Sequence, residues 1–288
     1  MVAVAGSSER PEPKTIGAFA PHILALLPEV ETVASCLQCA LAAGGPDALV
    51  SGVHVGFDPA HAFVSAEETD IQQLRDIFEG KPGERAARVK TAFDSFVATR
   101  PPSPPLQWKD DEGDINVNVM LEAHDADLIV ISRPLHLDAC DALRSALFCA
   151  HRLVLVAPRD FGDHAGGVGR RIVIGWKPGD PVKRAIQAAL PWLRRAEAVS
   201  VLWVEKHGAE PYDRSARAFF EKIGIDARIV GLRRNDQSVG RQLLSEARRH
   251  GDCLLVGAYK HGALWEAIFG GVTRDILGHA DLPVFLMR

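Results

Sequence analysis

The residues best suited by type and spacing to do chemistry lie between Asp252 and Thr273. A short apolar run, Asp252-Cys-Leu-Leu-Val-Gly257, reads as a strand, and Gly270-Gly271-Val272-Thr273 opens a final helix. Glycine allows close backbone approach and φ > 0. The first turn of a helix exposes unpaired N–H groups with partial positive charge. A strand, a glycine corner and a helix start together suit a phosphate-bearing ligand, which points to a nucleotide site. His261, in the intervening loop, could donate a hydrogen bond to phosphate or could stand in solvent.

No other constellation reads as a catalytic machine. The 11 histidines show neither H-x-x-x-H nor H-E-x-x-H spacing, so metal binding has little support. Asp110-Asp-Glu-Gly-Asp114 lacks the spacing of a calcium loop and reads as a solvated turn before a helix. No G-x-S-x-G elbow is present. Asp275 reads as a favourable charge near a helix N-terminus; Trp265 and Phe269 could pack over a ligand, with cover for the sheet edge as the default. Five cysteines are an odd count without a disulfide framework. Cys36 and Cys39 form a C-x-x-C inside the apolar stretch Val33 to Leu41, past the helix start, and read as half-buried helix residues rather than a redox pair.

Across 288 residues the formal net charge is −4, which argues against a nucleic-acid binder. The pairs Arg194-Arg195, Arg233-Arg234 and Arg248-Arg249 sit near the ends of expected elements and read as solvated faces. No apolar run approaches a membrane span, and the polar, Pro-containing start has no signal-peptide pattern. The expectation is a cytoplasmic protein with a disordered tail at 1–14.

The elements that must position the glycine corner follow from hydrophobic periodicity. In the second half, strands are expected at Arg171 to Trp176, Val199 to Val204, Ala227 to Leu232, Cys253 to Gly257 and Pro283 to Met287. Helices alternate with them: one N-capped by Asp180 and running through Leu193, one from Pro211 to Ile223, one from Ser238 to His250, and one starting around Thr273. The first half repeats the order, with strands at His22 to Leu27, Ala48 to Val55, Pro105 to Lys109, Asp127 to Ile131 and Arg152 to Ala157, a helix between the first two, and another at Ile115 to Ala123. A helical hairpin at 65–99 interrupts it, opened by the capping box Ser65-Ala-Glu-Glu68 and divided at Lys81-Pro-Gly83. Asp127-Leu-Ile-Val-Ile-Ser132 aligns with Asp252 to Gly257, which suggests an internal duplication. The expected architecture is α/β: two tandem doubly wound parallel five-stranded sheets, at 15–159 and 170–288, joined by a linker at 160–169.

From about residue 15 onward, and most strongly from Arg170, the chain resembles the universal stress protein family in its tandem two-domain form. Nucleotide-binding members of that family carry G-x-x-G, nine residues, then glycine followed by Ser or Thr. Here Gly257-Ala-Tyr-Lys260 precedes 261–269 and then Gly270-Gly271, so the spacing matches while Lys260 and Gly271 depart from the pattern. The resemblance implies an adenine nucleotide alpha hydrolase-like fold with pseudo-two-fold halves. It implies ATP as ligand, with adenine near Trp176, Lys177 and Val204 and phosphates along Gly257, Lys260, Gly270, Gly271, Val272 and Thr273. Lys177 stands where the family usually has an acidic residue. Lys260 could fill the pocket or could neutralise a triphosphate. In the first half, Asp127 to Val154 spans 27 positions against 32 from Asp252 to Val284, and no glycine lies between Ser132 and Val154. That half is expected to be structural or dimer-forming rather than nucleotide-binding.

The expected function is that of a stress-response protein, non-enzymatic or at most a weak ATPase. One alternative is a ligand-independent scaffold whose nucleotide site has decayed. Another is a nucleotide-using enzyme on the same fold, for which Leu26-Leu-Pro-Glu-Val lacks the additional phosphate signature. The fifth strand of each half is expected at a sheet edge, where the two halves could pair as an intramolecular pseudo-dimer; a homodimer of chains is a further expectation.

Overall fold

Strands that are apolar at every position need cover on both faces, and helices supply it here. A computed structural model describes residues 20–60, 66–101, 105–162, 167–205, 212–258 and 271–288. The first half runs β1 (His22–Leu26), a 3-10 turn at Val30–Thr32, α1 (Val33–Gly44) and β2 (Leu49–Phe57). The inserted hairpin α2 (Ala66–Phe78) and α3 (Pro82–Ala98) follows. Then come β3 (Leu106–Gly113), α4 (Ile115–Glu122), β4 (Leu128–Ser132), α5 (Leu137–Phe148) and β5 (Leu153–Ala157). The second half runs β6 (Arg171–Gly175), α6 (Asp180–Ala188), α7 (Leu190–Arg195), β7 (Ala198–Val204), α8 (Asp213–Ile223) and β8 (Arg228–Leu232). It ends with α9 (Val239–His250), β9 (Cys253–Gly257), α10 (Gly271–His279) and β10 (Val284–Met287).

The strands form one sheet in the order β3-β2-β1-β4-β5-β10-β9-β6-β7-β8. Every pairing is parallel except that of β5 with β10, where Val284 lies opposite Val156 and Leu286 opposite Val154. The fifth strands thus close each other's edge at the centre of the sheet, and its open edges are β3 and β8. One face packs under α1, α3, α6, α7 and α8; the other packs under α4, α5, α9 and α10. The halves are also tied by Trp192 Nε1, which donates to the Ala43 carbonyl at 3.0 Å, and by Arg133 Nη1, which donates to the Gly278 carbonyl at 3.0 Å.

The duplication has a matching physical detail. Asp127, just before β4, accepts the His22 N–H at 2.9 Å; Asp252, just before β9, accepts those of Arg171 at 2.7 Å and Gly169 at 2.8 Å. Each carboxylate satisfies the amide that opens the first strand of its half, which the sheet ladder leaves unpaired.

Several boundaries differ from the sequence reading. Pro191 has no N–H to continue a helix, so the helix expected through Leu193 divides into α6 and α7 around Ala189. The N-cap of α6 is Gly179, with φ 159°, and Asp180 is the first helical residue. β3 runs on through Asp110-Asp-Glu to Gly113, because an edge strand can carry charge where its outer side meets water. Asp114 then N-caps α4, accepting from Asn116 at 2.8 Å and Val117 at 3.1 Å. Helix α5 is an element the sequence reading did not name. The tail at 1–14, Ser65 of the capping box and 163–166 of the linker lie outside the described residues. Cys36 and Cys39 are buried on α1, where burial pushes both thiols well above their ordinary value. Among the described residues no helix is long and apolar enough to cross a membrane, and no group of acidic, histidine or cysteine side chains could hold a metal ion.

Candidate functional site

In a parallel sheet the carboxyl ends of the strands share one end, and there the loops can converge on a ligand. The second half brings Trp176 and Lys177 (after β6), Val204 (the last residue of β7), Gly257 (the last of β9) and the α10 start at Gly271, Val272 and Thr273 to that end. Lys260, His261 and Gly270 lie outside the described residues, as do Trp265 and Phe269.

The positions differ in what they offer. The Trp176 indole is buried, packs on Phe219 and Phe220 at ring distances of 5.3 and 5.8 Å, and donates from Nε1 to Ser215 Oγ at 3.3 Å. Its ring therefore belongs to the core under α8. Lys177 beside it is exposed, and Val204 is half-buried against the other layer. Gly257 is tightly constrained: a Cβ there would come within 2.4 Å of the Val182 nitrogen and 2.7 Å of the Pro181 carbonyl carbon. The first turn of α6 thus rests on the backbone of Gly257, which only glycine permits. Gly271 and Val272 are exposed at the first turn of α10, while Thr273 is buried.

The structure adds Gln242, which sequence reading passed over. This residue on α9 is 6% exposed; its Nε2 donates to the Arg233 carbonyl at 2.6 Å, and its Oε1 has no partner among the described residues. A lone amide beside the apolar series Val239, Leu243, Leu244 and Ala247 was the available signal. Gly240 lets α9 approach α10, since a Cβ there would lie 2.8 Å from the Val272 carbonyl oxygen.

The equivalent end of the first half is filled by the chain itself. Glu29, after β1 and 4% exposed, accepts the N–H groups of His136 at 2.9 Å and Leu135 at 3.1 Å, together with the Thr32 hydroxyl at 3.2 Å. Those amides belong to the loop that leads from β4 into α5, so a side-chain carboxylate takes the place an external anion would have. Burial raises the Glu29 carboxyl above its ordinary value; the His136 and Leu135 amides and the Thr32 hydroxyl pull it down without overcoming burial.

The inserted hairpin closes over this end. Arg75 holds Asp138, on the first turn of α5, at 2.8 Å to each oxygen, and pairs with Glu79 at 3.2 Å. Arg85 donates to the carbonyls of Gly80 at 2.6 Å and Phe57 at 3.1 Å. His136 stands between Glu31 at 3.4 Å and Glu79 at 3.6 Å. What remains is a cavity of about 370 Å³ whose charged walls already pair with one another.

With this geometry in place, comparison with known proteins bears on the fold. No family model and no curated protein matches the sequence. Solved structures do match. A universal stress protein from Archaeoglobus fulgidus DSM 4304 aligns over 93% of this chain and 98% of its own, with a TM-score of 0.55 at 12% identity. A protein of unknown function from Pseudomonas aeruginosa PAO1 aligns over 93% and 92%, with a TM-score of 0.51 at 15% identity. A chain from Pseudomonas aeruginosa UCBPP-PA14 assigned to the universal stress proteins aligns over 93% of each, with a TM-score of 0.51 at 14% identity. The fold is that of the universal stress proteins: a largely parallel α/β sheet built of two five-stranded halves.

Proposed function

We propose that the chain is a stress-response protein of the universal stress type that binds one adenine nucleotide, in its second half. The base would lie near Trp176, Lys177 and Val204, with Trp176 offering its backbone rather than its buried ring. The phosphates would lie along Gly257, Lys260, Gly270, Gly271, Val272 and Thr273, with His261 alongside. The observation that carries this reading is the asymmetry between the halves. In the first, Glu29 consumes the amides of Leu135 and His136; in the second, the turn after β6 carries the exposed cation Lys177 and α10 starts at an exposed Gly271. An exposed cation beside a helix N-terminus favours a polyanion.

Nucleotide occupancy would change the surface offered to partners at this end of the sheet, without bond cleavage. Calorimetric titration of the full chain with ATP tests the reading: saturable binding supports it, and absence of heat at millimolar ATP overturns it. Repeating the titration on Lys260→Gly separates the roles of Lys260. Stronger binding marks an obstruction, weaker binding a phosphate ligand. A second reading, a ligand-independent scaffold, is favoured by the first half, where Glu29 takes the amides of Leu135 and His136 and the Arg75–Asp138 pair fastens the hairpin over the α5 start.

A further inference from the structure

The charge of this chain is divided unevenly. Residues 1–169 hold 13 Lys and Arg against 24 Asp and Glu, a formal −11; residues 170–288 hold 20 against 13, a formal +7. Fields of opposite sign on one molecule favour association in which unlike halves meet.

Helix α4 in the acidic half presents an apolar stripe to solvent. Val117 is 51% exposed, Met120 51% and Leu121 67%, at i, i+3 and i+4 on one side of the helix. Its surroundings are acidic: Asp111 on the adjoining edge strand, Asp114 at its N-cap, and Glu122 and Asp125 at its end, against Lys109. The helix in the corresponding place of the basic half is α9, which joins β8 to β9 as α4 joins β3 to β4. Its exposed side carries Arg241, Arg248 and Arg249, which contact His279, Asp281 and Glu246 of the same chain, and the loop before it carries the exposed Arg233 and Arg234. Arginine stems can cover apolar surface while their guanidinium groups reach carboxylates.

We infer that two copies of this chain associate face to face about a two-fold axis running along the strands, with α4 of each copy on α9 of the other. Both helices lie on the same face of the sheet, so this axis lays α4 on the partner's α9 and α9 on the partner's α4 at once. The alternative two-fold, α4 on α4, would bring two acidic surfaces together, which costs energy. The dimer leaves the β5–β10 pairing inside each chain and does not depend on the nucleotide reading.

Sedimentation equilibrium on the full chain tests it. At about 50 mM salt the expected mass is twice that of the chain, and near 1 M salt, where the screening length is about 3 Å, dissociation strengthens. Met120→Glu, Asp125→Arg and Arg234→Glu should each weaken the dimer by about tenfold or more with unchanged circular dichroism. α4 and the partner's α9 run antiparallel, so Asp125 meets the start of α9. A chain carrying both Asp125→Arg and Arg234→Glu should recover dimerisation, because that contact then meets its swapped counterpart, whereas a merely structural effect of either change would not be rescued. A wild-type monomer at every concentration, or a dimer indifferent to salt and to all three substitutions, overturns the inference.

Discussion

The guanidinium of Arg75 grips both carboxylate oxygens of Asp138, each at 2.8 Å, with the two side chains 6% and 3% exposed. One residue belongs to the inserted hairpin and the other to the first turn of α5, so a single buried pair fastens the insertion over the end of the first half. Breaking a buried pair leaves a stranded charge. Asp138→Asn is expected to cost about 3–5 kcal/mol in urea unfolding. The double change Arg75→Met with Asp138→Leu should cost clearly less. Equal losses would show that the pair is not the fastening.

Glu29 gives a pH signature. Its carboxyl is raised above the ordinary 4.5 in the folded chain, so the folded state holds that proton more tightly than the unfolded state. Its contribution is present in full below about pH 4.5 and is lost as pH rises through the folded value. Glu29→Gln removes this titration and turns an amide donor toward two N–H donors, costing about 1–3 kcal/mol. The stability gap between wild type and Glu29→Gln should narrow as pH rises above 4.5. A gap that widens would contradict the direction of the shift.

At Gly257 a methyl group would meet backbone rather than a flexible side chain, at 2.4 Å from the Val182 nitrogen. Gly257→Ala should therefore destabilise the chain by about 1–3 kcal/mol. Because the strain falls at the end of β9, ATP affinity should drop as well. Unchanged melting and unchanged ATP binding would place the residue outside any site.

Asp127 and Asp252 do the same work in the two halves, each accepting the N–H that opens a first strand. Replacing either with Ala should cost about 1–3 kcal/mol, and the two costs should add because the sites share no partner. A large cost at one and none at the other would mean that the halves are not stabilised alike.

Much of this architecture was legible in the residues. Strands such as β6 and β9 are apolar runs bounded by charge and glycine, and Ser238 announced α9, whose Arg241 N–H it accepts at 3.3 Å. The alignment of Asp127 with Asp252 was visible, but the amide each one accepts was not, since those partners lie 105 and 81 positions away. The same limit hid Glu29, whose amides are 106 and 107 positions along the chain. Helix α5 escaped because His136, its N-cap, makes no side-chain cap bond and its start resembles a loop. The extent of β3 was hidden by its charges, which suit an edge but imitate a turn. In the second half the glycine spacing located the candidate end of the sheet. It gave no hint that the Trp176 ring is committed to the core.

The division of labour between the halves is tested most directly by equilibrium dialysis of labelled ATP against the full chain. The account predicts saturation at one nucleotide per chain, abolished by changes at Gly271 and Thr273 and unaffected by Glu29→Gln. Two nucleotides per chain, or none, would contradict it.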